Sequence, residues 1–172
     1  MSPIPLDARH IANQQGDFAP QLKSSWMIEI AGLEGDAKDL IVLSLESGAL
    51  PAEGNEVVEL KYGNEVRKVA GQAKFETMEL VLKDFVDRGT RAAIVAWRKK
   101  VYDAEGGLVG LPSAYKKEAT MILLATDNTH LRKCRLIGVW PSDVKGGDLS
   151  MAESGNVHIS ITLQYDRAIW QI

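Results

Sequence analysis

The stretch from Tyr62 to Lys83, YGNEVRKVAGQAKFETMELVLK, decides the fold class. In its second half Met78, Leu80 and Leu82 alternate with Thr77, Glu79, Val81 and Lys83, the two-residue period of a strand with one face buried. The first half is charged and carries Gly63 and Gly71. Together they predict a turn, a short strand, a tight turn at Gly71 and a long strand, making a polar-faced hairpin.

Outward from this hairpin the same period recurs. Residues 1–24, with Pro3, Pro5 and Pro20 and no clean periodicity, are expected to form an N-terminal arm, and residues 25–172 a single domain. Trp26, Ile28 and Ile30 share one face of a first strand that ends at Gly32, and the apolar run Leu40 to Leu45 predicts a strand buried on both faces. Ser47 to Asn55 holds two glycines and a proline and is expected to be a loop. It continues into an alternating strand from Val57 to Tyr62, so residues 47–62 form an excursion. Ile94, Trp97 and Val101 at helical spacing predict one helix over 90–102 with Thr90 as N-cap.

Leu108 to Tyr115 is punctuated by glycine and proline and is expected to be a loop. Thr120 to Leu124 and Cys134 to Val139 predict strands joined across Thr126-Asp127-Asn128, a unit ended by Trp140-Pro141-Ser142 and the Lys145 to Asp148 turn. From Val157 to Tyr165 apolar residues alternate strictly with His158, Ser160, Thr162 and Gln164. Seven or eight strands with one helix imply a mainly β chain, an antiparallel sandwich or barrel with a flanking helix and an extended loop or hairpin arm.

Composition narrows the function. The 172 residues are 45% hydrophobic and 25% charged, with a formal net charge of -3, enough for one core and poor for binding nucleic acid through a basic surface. No apolar run reaches the length of a membrane span, no secretory leader is recognisable, and the single Cys134 cannot form an internal disulfide, so a cytoplasmic site of synthesis is expected. His10, His130 and His158 share no metal-ligand spacing, and Cys134 lies in an apolar strand. The glycines at Gly106-Gly107 and Gly146-Gly147 lack the setting of a phosphate cradle, and Asp143, Asp148 and Glu153 fit no calcium loop. No catalytic, metal or cofactor site is therefore expected, and no enzyme activity. The basic groups Arg91, Arg98, Lys99, Lys100 and Arg132, Lys133, Arg135 are either a solvated surface or, with hairpin charges such as Glu65, Arg67 and Lys68, contacts to an identical neighbour.

The hairpin resembles that of the tail tube proteins of contractile-tailed bacteriophages, through Tyr62, Asn64, Glu65, Val66, Arg67, Lys68, Gly71, Lys74 and Phe75; Ala70 stands where that family commonly has proline. The likeness returns from Trp140 to Tyr165 and is poor at the termini and from Asp103 to Lys116. The resemblance implies hexameric rings stacked into the inner tube of a phage tail, with a fold related to the tubes of type VI secretion and phage-like bacteriocins. It implies a tube that houses the tape measure protein and passes DNA without sequence-specific binding. The implied partners are the sheath, a baseplate tube initiator and a tail terminator, with assembly in the host cytoplasm and final residence in the virion. By the same resemblance Ser47, Leu50, Pro51, Glu53, Asn55 and Tyr62 belong to a loop that contacts the adjacent ring. In such a ring the uncharged face His158, Ser160, Thr162, Gln164 would line the lumen. Alternatives are the tube of a DNA-free contractile particle, a baseplate tube initiator, or a soluble carbohydrate- or peptide-binding sandwich using Trp140 and Tyr115.

Overall fold

The computed structural model describes residues 21–33, 37–86, 89–125, 129–152 and 154–171. Residues 1–20 of the expected arm, the 126–128 turn and Glu153 lie outside them.

The expected mainly antiparallel β fold is present. Strands β1 (Trp26–Ile30), β8 (Lys117–Leu124), β9 (His130–Lys145) and β11 (Arg167–Gln171) form one layer, and β2 (Leu45–Gly48), β5 (Met78–Lys83) and β10 (His158–Gln164) continue it into a second. The order is β1-β8-β9-β10-β5-β2, with β11 also on β9. β9 belongs to both layers: its first part pairs with β8 and β11, and Trp140 to Lys145 pair with β10. Gly138 sits at the changeover with φ +72, beside a register shift between Lys117 and Glu118. A left-handed residue at a bulge bends the strand and increases its twist, which is how one strand turns a corner between layers. The expectation that this strand stops at Val139 and that Trp140-Pro141-Ser142 ends the unit is therefore corrected.

The alternation in β5 and β10 does what it implied. Met78, Leu80, Leu82, Ile159, Ile161 and Leu163 are buried between the layers. Opposite them stand Ile28, Met121, Cys134 and Leu136. Each fully buried aliphatic side chain of this kind contributes roughly 1.5–3 kcal/mol.

Leu40 to Leu45 is not a doubly buried strand. Helix α1 (Ala37–Ser44) occupies it, and its buried positions Ala37, Ile41 and Ser44 fall at i, i+4 and i+7, while Leu43 faces solvent. A continuous apolar run hides this period, which is why length alone misleads there. Ser44 Oγ donates to Leu40 O at 2.6 Å and shares a 3.0 Å hydrogen bond with the buried Thr90 hydroxyl. That bond also corrects the expected cap: α2 (Thr90–Val101) is preceded by Gly89 at the cap position, and no side chain caps it. Thr90 instead ties the two helices together. Ile94, Trp97 and Val101 are buried as their spacing requires.

The segment expected to be a loop from Leu108 to Tyr115 contains β7 (Leu108–Val109), paired with β6 (Tyr102–Asp103), and a short helix, α3 (Pro112–Tyr115). Trp97 Nε1 donates to Tyr115 O at 2.8 Å, and the Tyr115 and Trp140 rings meet edge to face at 5.6 Å. These aromatics fasten α3 to the sheet rather than forming an open recognition surface.

Replacing Gly138 by alanine is expected to cost roughly 1–3 kcal/mol, because φ is positive there and the new Cβ would meet the Asp166 carboxylate. Urea denaturation measures it, with Gly155→Ala, where a Cβ meets open space, expected within about 0.5 kcal/mol of wild type. Burial pushes the Cys134 thiol up from 9.0 to about 11. The native state thus holds this proton more tightly, and the associated stability is complete below pH 9.0 and lost as pH rises toward about 11. Urea midpoints across that window should fall more steeply for wild type than for Cys134→Ala.

Candidate functional site

β3 (Glu53–Tyr62) and β4 (Glu65–Phe75) form a two-stranded sheet separate from both layers. The turn is at Gly63, φ +59, not at Gly71. Gly71 lies inside β4 opposite a bulge between Asn55 and Val57, where a Cβ would stand 2.9 Å from Glu56 O. Gly71 serves close approach and not reversal, so the two strands pair about Gly63.

With the register corrected, the face of the hairpin changes character. Val58 pairs with Val69, Leu60 with Arg67 and Tyr62 with Glu65, so these six side chains share one face. On the other face Val57 pairs with Ala70, Glu59 with Lys68 at 3.6 Å, and Lys61 with Val66. Every residue of β3 is exposed, Val57 at 60% and Tyr62 at 65%. Ten residues of strand reach roughly 30 Å. A lone two-stranded ribbon is marginal in water, and a row of bare valine, leucine and tyrosine on it marks a surface made to be covered.

The root of the ribbon is firmly held. Glu76 N donates to Ala52 O at 3.1 Å, Ala49 N donates to Glu79 O at 3.1 Å, and Tyr165 OH reaches Ala52 O at 3.2 Å. The Phe75 and Tyr165 rings pack with centroids 6.0 Å apart. Burial raises the Tyr165 phenol above its usual range, so it stays a neutral donor. This anchor escaped the sequence, where Tyr165 was simply the last apolar member of a strand.

The structure separates the residues expected of an inter-ring loop. Ser47 is in β2, Leu50 and Pro51 are in the connection beyond it, Glu53 and Asn55 begin β3, and Tyr62 is at the far tip. Asn55 Nδ2 donates to Gly71 O at 3.3 Å, across the bulge. Glu65, Arg67 and Lys68 follow the turn on β4.

His158, Ser160, Thr162 and Gln164 are half-buried on the face of β10 opposite its core residues. Paired residues extend this face: Lys83 beside His158, Val81 and Lys145 beside Ser160, Glu79 and Asp143 beside Thr162, Trp140 beside Gln164. Glu46 contacts His158 Nδ1, and Lys145 lies 3.8 Å from Asp143. Positive and negative groups nearly balance. Among the described residues β2 pairs only with β5, and Trp140 to Lys145 of β9 pair only with β10, so within them this layer has a strand with one unpaired side at each end.

Of the basic group on α2, Arg91 Nε donates to Asp84 at 2.7 Å, and Lys99 lies 3.6 Å from Asp103 and 3.3 Å from Glu105. Arg98 Nη1 is buried and has no hydrogen-bond partner. Arg135 pairs with Glu118 at 2.9 Å. Among the described residues no three His, Cys, Asp or Glu side chains converge on a possible metal site, and no helix is long and apolar enough to cross a membrane.

Comparison with known structures places this architecture. The chain is similar to a subunit of the PVC sheath-tube complex of an extracellular contractile injection system in its extended state, with 15% identity, TM-score 0.69 and coverage of 97% of this chain and 99% of that one. It is similar to a chain of the anti-feeding prophage cap, which terminates the tube, with 15% identity, TM-score 0.73 and coverage of 93% and 96%. It also resembles a type six secretion system protein, with 13% identity, TM-score 0.56 and coverage of 84% and 81%. At these identities the likeness is one of fold. No curated protein matches the sequence. A family model described as T4-like virus tail tube protein gp19 matches residues 36–169, which include every strand from β2 to β10 and the whole projecting ribbon, and the chain belongs to that tail tube family.

Proposed function

We propose that the protein assembles into hexameric rings that stack as the inner tube of a phage tail. The observation that carries this is the Glu53–Phe75 ribbon, whose Val58, Leu60, Tyr62 and Val69 are exposed, an apolar row that a second molecule would cover. The single-sided β2 and the Trp140 to Lys145 half of β9 supply the second contact. Joined head to tail, they would continue the β9-β10-β5-β2 layer from copy to copy until it closes, a heterologous contact whose rotation makes a ring. The ribbon and the connection through Leu50 and Pro51 would then reach the adjacent ring.

In such a ring the His158, Ser160, Thr162, Gln164 face lines the lumen, with Glu46, Glu79 and Asp143 offset by Lys83 and Lys145. Duplex DNA carries about one negative charge per ~1.7 Å, and a wall without a surplus of cations releases it as easily as it admits it. This supports passage of DNA and enclosure of the tape measure protein in a virion tail built in the host cytoplasm. Sheath, baseplate tube initiator and tail terminator are the partners such a tube requires. A second reading, the tube of a DNA-free contractile particle, is favoured by the near-complete fold match to an extracellular injection system. A near-neutral wall suits protein cargo as well.

Negative-stain microscopy of the purified chain tests the assembly. Rings or tubes are expected from wild type. Replacing residues 55–73 with a short glycine-serine turn should leave the melting transition of the sandwich in place and abolish tubes, since Phe75, Tyr165 and the core remain. Long tubes from that variant would remove the ribbon from the assembly.

A further inference from the structure

The groove beside the end of α2 holds an unmet electrostatic demand. It is an open cleft of about 360 Å³ between α2, β6 and β9, lined by Val95, Arg98, Tyr102 and Val144 with Lys99 and its two carboxylate partners at the rim. Val95 is 53% exposed and Tyr102 45%. Arg98 Nη1 is buried there without an acceptor. The chain itself encloses Nη1, so an incoming carboxylate would reach the guanidinium's remaining nitrogens; Arg98 has no ion-pair partner among the described residues, and its delocalised charge is what such a carboxylate would offset. The two carboxylates that line the cleft, Asp103 and Glu105, both pair with Lys99.

The tip of the ribbon carries the complement. Tyr62 and Glu65 are directly paired across the turn and share a face. Glu56 and Glu59 on the same ribbon are 3.9 Å from Lys74 and 3.6 Å from Lys68, whereas Glu65 makes no ion pair among the described residues. An aromatic ring and a carboxylate side by side match a cleft with an apolar wall and a cation. No residue of the chain's own ribbon lines that cleft.

We infer that the ribbon tip of a second copy docks in this groove, with Tyr62 against Val95, Tyr102 and Val144 and the Glu65 carboxylate on Arg98. This rests on the tube assignment and gives the ribbon its receiving site. Arg98 is then the residue that selects the incoming tip, and Arg91 and Lys99, already neutralised within the chain, are bystanders.

Charge reversal tests the pairing. Glu65→Arg and Arg98→Glu are each expected to reduce pelletable tubes at least about tenfold, as loss of one partner of a desolvated charge pair does, and the two together are expected to restore them. Arg91→Glu should leave tube yield near wild type. Where Arg98→Glu lowers the melting temperature too far to score, the pair Glu65→Cys with Arg98→Cys decides, since mild oxidation of the assembled protein should give a covalent ladder that dithiothreitol collapses. Wild-type tubes together with singles that assemble normally, with a charge-swapped double that fails to assemble, or, where that double cannot be scored, with an assembled cysteine pair that gives no ladder, would overturn the pairing alone. A wild-type chain that stays monomeric would overturn the tube assignment itself, and the pairing with it.

Discussion

One strand has to be in two places. β9 hydrogen-bonds to β8 and β11 in one layer and to β10 in the other, and the whole two-layer body depends on its bending between them at Gly138. The bend is secured from outside by Asp166, which approaches Gly138 and is held by Lys116 at 2.7 Å. Asp166 N also donates to Ile137 O at 2.9 Å, so the turn from β10 into β11 is bonded to the strand it helps to bend. The core then follows from geometry. Two layers joined by a shared strand bring Leu136 and Cys134 into one core with Leu163 and Ile161.

Because the body is complete without the ribbon, the ribbon is free to serve another purpose. Its contacts with the rest of the chain are concentrated at Ala52, Phe75 and Glu76, and beyond them both faces are open. The electrostatics follow the same division. Several charges on the body are matched within the chain, as Arg91 with Asp84, Arg135 with Glu118 and Lys116 with Asp166 show. Exposed pairs of this kind contribute little to stability, about 0–1 kcal/mol each, but each one matched internally is one fewer available to a wrong neighbour.

Much of the fold was legible where one face of a strand is buried and the other is not. The alternation in β5 and β10 placed six core residues correctly, and the spacing of Ile94, Trp97 and Val101 placed the main helix. Legibility failed where the local signal was degenerate. In α1 the apolar run concealed a helical period, because Val42 and Leu43 are hydrophobic without being buried core. At Gly71 the same residue type that reverses a chain here admits a neighbouring backbone, and only the register tells the two apart. For the site, the alternation from Val57 to Tyr62 and the polar row of β10 were legible in the sequence, whereas Ser47, expected to begin the excursion, is in β2. The apolar row of the ribbon was not legible, since it needs Val69 to stand opposite Val58.

The root of the ribbon has a mechanical consequence. Phe75 and Tyr165 interlock at the point where the ribbon leaves the body, and Tyr165 is the residue immediately after the central strand β10. A pull on the ribbon would therefore reach the body beside β10, which lies between β9 and β5 in the sheet, and not at a chain end.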